Sequence, residues 1–264
     1  LAEPDPWALL RKATRARIGL GRAGDAVPTR ALLEFQLAHA QARDAVHAPL
    51  DLDALEQALA PNPILRLHSA APDRITYLRR PDLGRRLDAA SRERLSGAVK
   101  AGPPDIVFVV ADGLSARAVM RHAAAVLSAC LQRLPEHAQA PIVVVEQARV
   151  AVGDEIGDIL GAKLCLVLIG ERPGLSVADS LGLYLTWAPR PGVQDSARNC
   201  ISNIHADGLS PEQAADQAAW LIREATRRGL TGVDLKAASP DDLLEDRSPR
   251  ATLTVETPFK DTAL

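Results

Sequence analysis

The chain has 264 residues, 47% of them hydrophobic and 24% charged, with a formal net charge of −2. That length supports one large domain or two small ones with a substantial core. The near-neutral balance lacks the basic field that nucleic-acid binding needs, so no nucleic-acid partner is expected. Runs such as "IVFVVA" and "LCLVLIG" fall far short of the roughly 20 apolar residues of a membrane span.

In chain order, the first third reads as helical. "DPWALLRKATRARIGLG" carries Asp5 as an N-cap, Pro6 at the first helical position and Gly19 near the stop. "PTRALLEFQLAHAQARDAV" repeats this with Thr29 as cap, and "LDLDALEQALAPNP" is a short third helix ended by prolines. "DLGRRLDAASRERLSGAV" reads as a fourth helix, entered from a short strand over Ile75–Leu78.

The texture changes at "AGPPD", residues 101–105. Four compact apolar runs follow: "IVFVV" (106–110), "IVVV" (142–145), "LCLVLI" (164–169) and "LYLTW" (183–187). The first three are continuous rather than alternating, as parallel strands covered on both faces should be. Helical patterns follow the first and second, which implies βαβ units. "LSPEQAADQAAWLIREATRRGL" has Ser210 as cap, Pro211 at N1, Gln213 placed for a capping box and Gly229 as stop. The expected organisation is α/β: a mainly helical subdomain over 1–100, a Rossmann-like, mostly parallel sheet flanked by helices over 101–238, and a polar tail over 239–264.

Ligands of open α/β sheets lie beyond the carboxyl ends of the strands. Four polar loops occupy those ends: "ADGLSA", "EQARVAVGD", "GERPGLSVADS" and "APRPGVQDSARNCISNIHADG". In the first, Asp112 and Ser115 either cap the next helix or help cradle an anion. Neither GxGxxG nor GxxxxGK[ST] occurs, so ordinary nucleotide binding has no support. Glu171 either pairs with a neighbouring arginine such as Arg172 or accepts hydrogen bonds from a ligand. The arginine-rich stretches "RRPDLGRRL" and "RKATRARIGLGRAG" are solvated surface or contacts to an acidic partner.

Cys200 and His205 raise the question of reactivity. As a zinc site they lack a second pair at workable spacing, so no metal site is expected. As a nucleophile and base they need an orienting acid and an oxyanion site. The residues themselves leave that loop's purpose open. The odd, widely spaced Cys130, Cys165 and Cys200 argue against a disulfide framework and for a reducing cytoplasm. The opening "LAEPDPWALL" shows neither a basic n-region nor an apolar h-region, so no secretion signal is expected.

Taken together, "GRAG" before "PTRALLEF", "RRPDLGRRL", "ADGLS", "IGDILGAKLCLVLIGERPGL" and "RNCISNIH" resemble the small subunit of ethanolamine ammonia-lyase, in that family's order, over about 7–236. The resemblance implies an adenosylcobalamin-dependent lyase that converts ethanolamine to acetaldehyde and ammonia. It implies a large-subunit partner holding the substrate, within a hetero-oligomer whose small subunit closes over the cobalamin. Three cofactor contacts carry over: Val150 in "ARVAVGD", Glu171 in "GERPGL" and Cys200 in "RNCISNIH". On that basis Cys200 is a corrin-facing wall rather than a nucleophile, and this chain supplies no catalytic residue. Microcompartment members of the family carry a longer N-terminal segment, whereas this sequence starts almost at its first helix, so a cytoplasmic location is expected and compartment association stays open. The competing readings are a free-standing Rossmann-like enzyme for a nucleotide or phosphorylated ligand, and a structural adaptor that touches no cofactor.

Overall fold

Continuous β-rich runs bury both faces of a strand, and the helices between them supply the cover. The computed structural model describes residues 5–98, 102–137 and 140–235; the expected tail over 239–264 lies outside the described residues. The chain runs through α1 (Ala8–Ala13), α2 (Thr29–His47), α3 (Leu52–Leu59), β1 (Ile64–His68), α4 (Arg74–Arg79) and α5 (Ala89–Ala98). It continues with β2 (Ile106–Ala111), α6 (Ala116–Ala118), a π turn (Val119–Ala123), α7 (Ala124–Arg133), β3 (Ile142–Glu146) and α8 (Val152–Leu160). Then come β4 (Leu164–Gly170), β5 (Leu181–Trp187), β6 (Arg198–Ile204) and α9 (Pro211–Arg228).

Among the described residues the strands form one six-stranded sheet in the order β1-β3-β2-β4-β5-β6. The pairs from β1 through β4 are parallel. β4–β5 and β5–β6 are antiparallel, so the sheet is mixed. β2 and β4 are fully buried, as their unbroken apolar sequences require. One face packs Phe108, Leu166, Leu183 and Ile201 against the helical residues Leu127, Ala215 and Ile222. The other face packs Val107, Val109, Cys165 and Val167 against Leu95, Val152 and Ile156. On this second face α8 lies over β4 and α5 over β1. Farther out, on β5 and β6, Tyr184 is half-buried and its register partner Cys200 is exposed.

Several local expectations change. The first helix stops at Ala13, because the chain folds back and brings Gly19, at φ +56°, against the Trp7 ring. Thr29 is the first helical residue rather than the cap, since extended Pro28 precedes it. Residues 75–78 are helical, not a strand: Asp73 accepts the Thr76 N–H at 2.8 Å and starts α4 despite β-branched Ile75 and Thr76. The fourth apolar run, β5, runs antiparallel to β4, so its carboxyl end lies at the opposite edge from the other three. The stretch after β5 therefore starts at the opposite edge and returns through β6, whose carboxyl end lies at the same edge as those of β2, β3 and β4, and its Asp195 shares a cleft with Val150 of the second loop.

Edge strands β1 and β6 both went unread in the sequence. β1 presents Arg66 to Asp53 and Glu56, and β6 buries only Arg198, Ile201 and Ile204 of its length. A single covered face and interleaved polar side chains disguise an edge strand as a loop. The correction bears on Cys200, which lies within β6 rather than on a loop.

Candidate functional site

The turn after β3 is fixed before any ligand arrives. Gln147 adopts a left-handed φ of 54°, and the next N–H, of Ala148, donates to Asp112 Oδ1 at 3.1 Å. The Tyr77 hydroxyl donates to the Ala148 carbonyl at 3.0 Å, and Arg149 N donates to the Gly84 carbonyl at 2.7 Å. Asp112 is thus a buried brace for this turn. Ser115 alone caps the next helix by its side chain, accepting from Ala118 N. Ser115 is thus the N-cap of the helical stretch that runs on through the π turn into α7, and Asp112 serves the neighbouring turn instead. Val150 follows directly, half-buried, just before α8.

At the end of β4, Leu114 N donates to the Gly170 carbonyl, and Glu171 N donates to the Ser180 carbonyl. This pins the strand end and turns the Glu171 side chain across β5. The space there exists because residue 182 is glycine: a Cβ at Gly182 would sit 2.2 Å from Glu171 Oε1. The Tyr184 hydroxyl donates to Glu171 Oε1 at 2.7 Å. Glu171 is therefore paired with a phenol; neither Arg172 nor any other cation forms a salt bridge with it among the described residues. Burial, then the bonds to Glu171 and Cys200, push the Tyr184 phenol above its ordinary range, so it stays a proton donor.

Cys200 lies opposite Tyr184 on β6. Partial desolvation against the sheet raises its thiol, with Tyr184 pulling the other way and Glu171 adding to the rise. A thiol rather than a thiolate at neutral pH is a poor nucleophile. His205 sits in the turn beyond β6, where its Nδ1 accepts the Asp207 N–H. No hydrogen bond joins it to Cys200 among the described residues. Cys200 and His205 thus form no hydrogen-bonded dyad, and no cluster of three or more His, Cys, Asp or Glu side chains suited to an ion occurs among the described residues.

Val150, Tyr184 and Cys200 line a cleft of about 300 Å³. Val150, Glu171 and Tyr184 line an adjoining one of about 230 Å³. The structure thus gathers the three sequence-predicted residues onto one surface, with Val150 and Tyr184 common to both clefts. Beneath it, Arg198 forks both oxygens of Asp154 at 2.6 and 2.7 Å.

The sequence profile of the ethanolamine ammonia-lyase light chain (EutC) matches residues 4–236. The chain belongs to that family. Among its curated relatives, one from Azotobacter vinelandii is 57% identical over 241 residues, 89% of each chain. One from Pseudomonas aeruginosa is 55% identical over 256 residues, 93% of this chain and 92% of the relative. One from Ralstonia nicotianae is 55% identical over 247 residues, 91% of this chain and 92% of the relative. All three are named ethanolamine ammonia-lyase small subunit, a name that implies a larger partner chain. No helix among the described residues is long and apolar enough to cross a membrane.

Sequence reasoning missed Tyr184, Arg149 and the Asp154–Arg198 pair. Tyr184 was legible only as part of an apolar strand, although its hydroxyl in "LYLTW" needs a partner once half-buried. Asp154 and Arg198 lie far apart in the chain, and only tertiary structure joins them.

Proposed function

We propose that this chain is the small subunit of an ethanolamine ammonia-lyase, and that with the large subunit it completes an adenosylcobalamin site for deamination of ethanolamine to acetaldehyde and ammonia. Family membership supports the subunit role. The observation that carries the cofactor reading is the convergence of Val150, Glu171 and Cys200 on one open surface of the sheet. The parallel half of the sheet, with helices on both faces, suits a Rossmann-like description. Free thiols at Cys130, Cys165 and Cys200 agree with a reducing cytoplasm.

The donor set fits a corrinoid, whose rim carries neutral amides around an apolar ring. Glu171 offers an oxygen beyond the one held by Tyr184, free to accept from an amide or hydroxyl. Val150 supplies apolar contact and Cys200 an uncharged wall. When bound, adenosylcobalamin supplies the radical chemistry through homolysis of its cobalt–carbon bond. This chain binds and orients, and it excludes water from one side. A corrinoid is larger than clefts of about 300 and 230 Å³, so the rest of the enclosure belongs to the large subunit.

The purified chain mixed with adenosylcobalamin and ethanolamine, with and without a large subunit, tests this. Ammonia release and a change in the cobalamin spectrum are expected only with both chains. Turnover by this chain alone favours a free-standing enzyme. An adaptor leaves cofactor affinity unchanged when Glu171 is replaced by Ala.

A further inference from the structure

Beside the three residues above lies a cation they do not explain. Arg149 lines both clefts, and its Cζ stacks 4.4 Å from the centroid of the Tyr77 ring. Arg74 also lies over that ring, at 4.8 Å, but Arg74 is neutralised: it faces Asp112 at 3.3 Å and donates to the Val46 and Gly113 carbonyls. Arg149 has no such partner. Among the described residues no carboxylate or carbonyl accepts from its guanidinium, and its buried Nε has no hydrogen-bond partner. Glu171, on the same cleft, turns to Tyr184 instead.

The position is built rather than incidental. Gly84 accepts the Arg149 N–H, and a Cβ at Gly84 would lie 2.9 Å from the Tyr77 ring and 3.1 Å from Arg149 Cγ. Only a bare backbone there lets the arginine stem lie flat on the tyrosine. Stacking fixes the guanidinium plane and leaves its edge donors for a ligand. A partly desolvated, unpaired guanidinium favours a planar or tetrahedral oxyanion that can take two of its N–H groups.

We propose that Arg149 is the anion receptor of this site and holds the phosphodiester of the adenosylcobalamin nucleotide loop, the anionic group on a cofactor whose other side chains are neutral amides. The inference rests on the cobalamin reading and deepens it by assigning the charged contact. Arg149 is then a positioning residue that sets how the cofactor lies against Val150, Glu171 and Cys200.

The test uses the complete complex carrying Arg149→Gln, Arg149→Lys or Glu171→Ala, titrated spectrally with adenosylcobalamin and with adenosylcobinamide, which lacks the phosphodiester. Arg149→Gln should weaken adenosylcobalamin by about 10-fold or more, the scale of one charged hydrogen bond, and leave adenosylcobinamide within about 2-fold. Arg149→Lys should recover part of the loss. Equal losses for both ligands, or none for adenosylcobalamin, overturn the assignment, since a packing role cannot distinguish the two. Glu171→Ala should weaken both ligands; no effect on either counts against the cobalamin reading itself. Should a variant fail to assemble, a structure of the wild-type complex with bound adenosylcobalamin decides. A phosphodiester within hydrogen-bond reach of Arg149 supports the proposal. A corrin against Cys200 with its phosphodiester elsewhere sinks the Arg149 assignment alone, and a corrin remote from the cleft sinks both.

Discussion

Arg198 and Asp154 are joined by two parallel hydrogen bonds of 2.6 and 2.7 Å, with side chains only 2% and 3% exposed. The same guanidinium also donates to Thr186 Oγ1 and to the Val193 carbonyl at 2.9 Å. The pair straps β6, which carries Cys200, to the first turn of α8, which begins two residues after Val150. It therefore sets the distance between two walls of the proposed cofactor site.

Breaking that strap on one side should cost about 3–5 kcal/mol, because the surviving charge is left buried and unpaired. Urea unfolding of Asp154→Ala should show this loss, and Arg198→Met a similar one. The double variant Asp154→Leu/Arg198→Met should lose much less than the two singles summed, since it removes both charges. Additive losses would mean that the two residues do not stabilise the fold as a pair.

Gly182 and Glu171 make a second, more local prediction. A methyl at Gly182 would collide with Glu171 Oε1, the movable end of a flexible side chain. Gly182→Ala should therefore displace the carboxylate and break its bond with Tyr184 while changing the melting temperature little. Cofactor affinity of the complex should fall by several-fold, on the order of one hydrogen bond. Combined with Glu171→Ala, the glycine substitution should add nothing further. A full additional loss in the double variant would show that Gly182 acts through the strand and not through Glu171.

The sequence was most legible where one local rule decided the outcome. The α9 capping box, with Ser210 and Gln213 exchanging hydrogen bonds, stands as read, because cap chemistry depends on neighbours three residues apart. β2, β3 and β4 were legible because unbroken apolar runs are hard to place anywhere but a covered sheet. β6 was not: its alternation is broken where Asn203 takes a φ of 60°, and Arg198 is buried only because Asp154 meets it from another element. The direction of β5 was equally hidden, since an apolar run does not encode parallel or antiparallel pairing. Of the site, the position of Glu171 at a strand end was readable, but its partner Tyr184 was not, because that contact depends on the β4–β5 reversal and on Gly182.

The cap itself is a quantitative test. Ser210 Oγ accepts from Gln213 N at 3.2 Å and Gln213 Oε1 accepts from Ser210 N at 3.0 Å. Ser210→Ala should cost about 1 kcal/mol by urea unfolding, through fraying of the helix that covers β5 and β6. Cofactor affinity should hold, because α9 packs on the face opposite the cleft. A loss of affinity without loss of stability would contradict that separation.

Asp112 should give the protein an unusual acid response. Burial pushes its carboxyl up from 3.8 to about 6, against the opposing pull of the Ala148 N–H and Arg74. Its folded value lies above its unfolded value, so between those two pH values the folded chain holds a proton that the unfolded chain has released. Stability from this group therefore rises as pH falls from about 6 toward 3.8 and is constant below that. The full span is about 3 kcal/mol by linkage. Other carboxylates shift the opposite way, such as Glu224, held at about 2 by Arg227 and Arg228, so the contribution must be isolated by difference. Urea unfolding of wild type and Asp112→Asn across that range should show wild type gaining on the variant as pH falls. A difference that stays flat, or grows toward neutral pH, would mean that the Arg74 pairing outweighs burial and that Asp112 is ionised throughout.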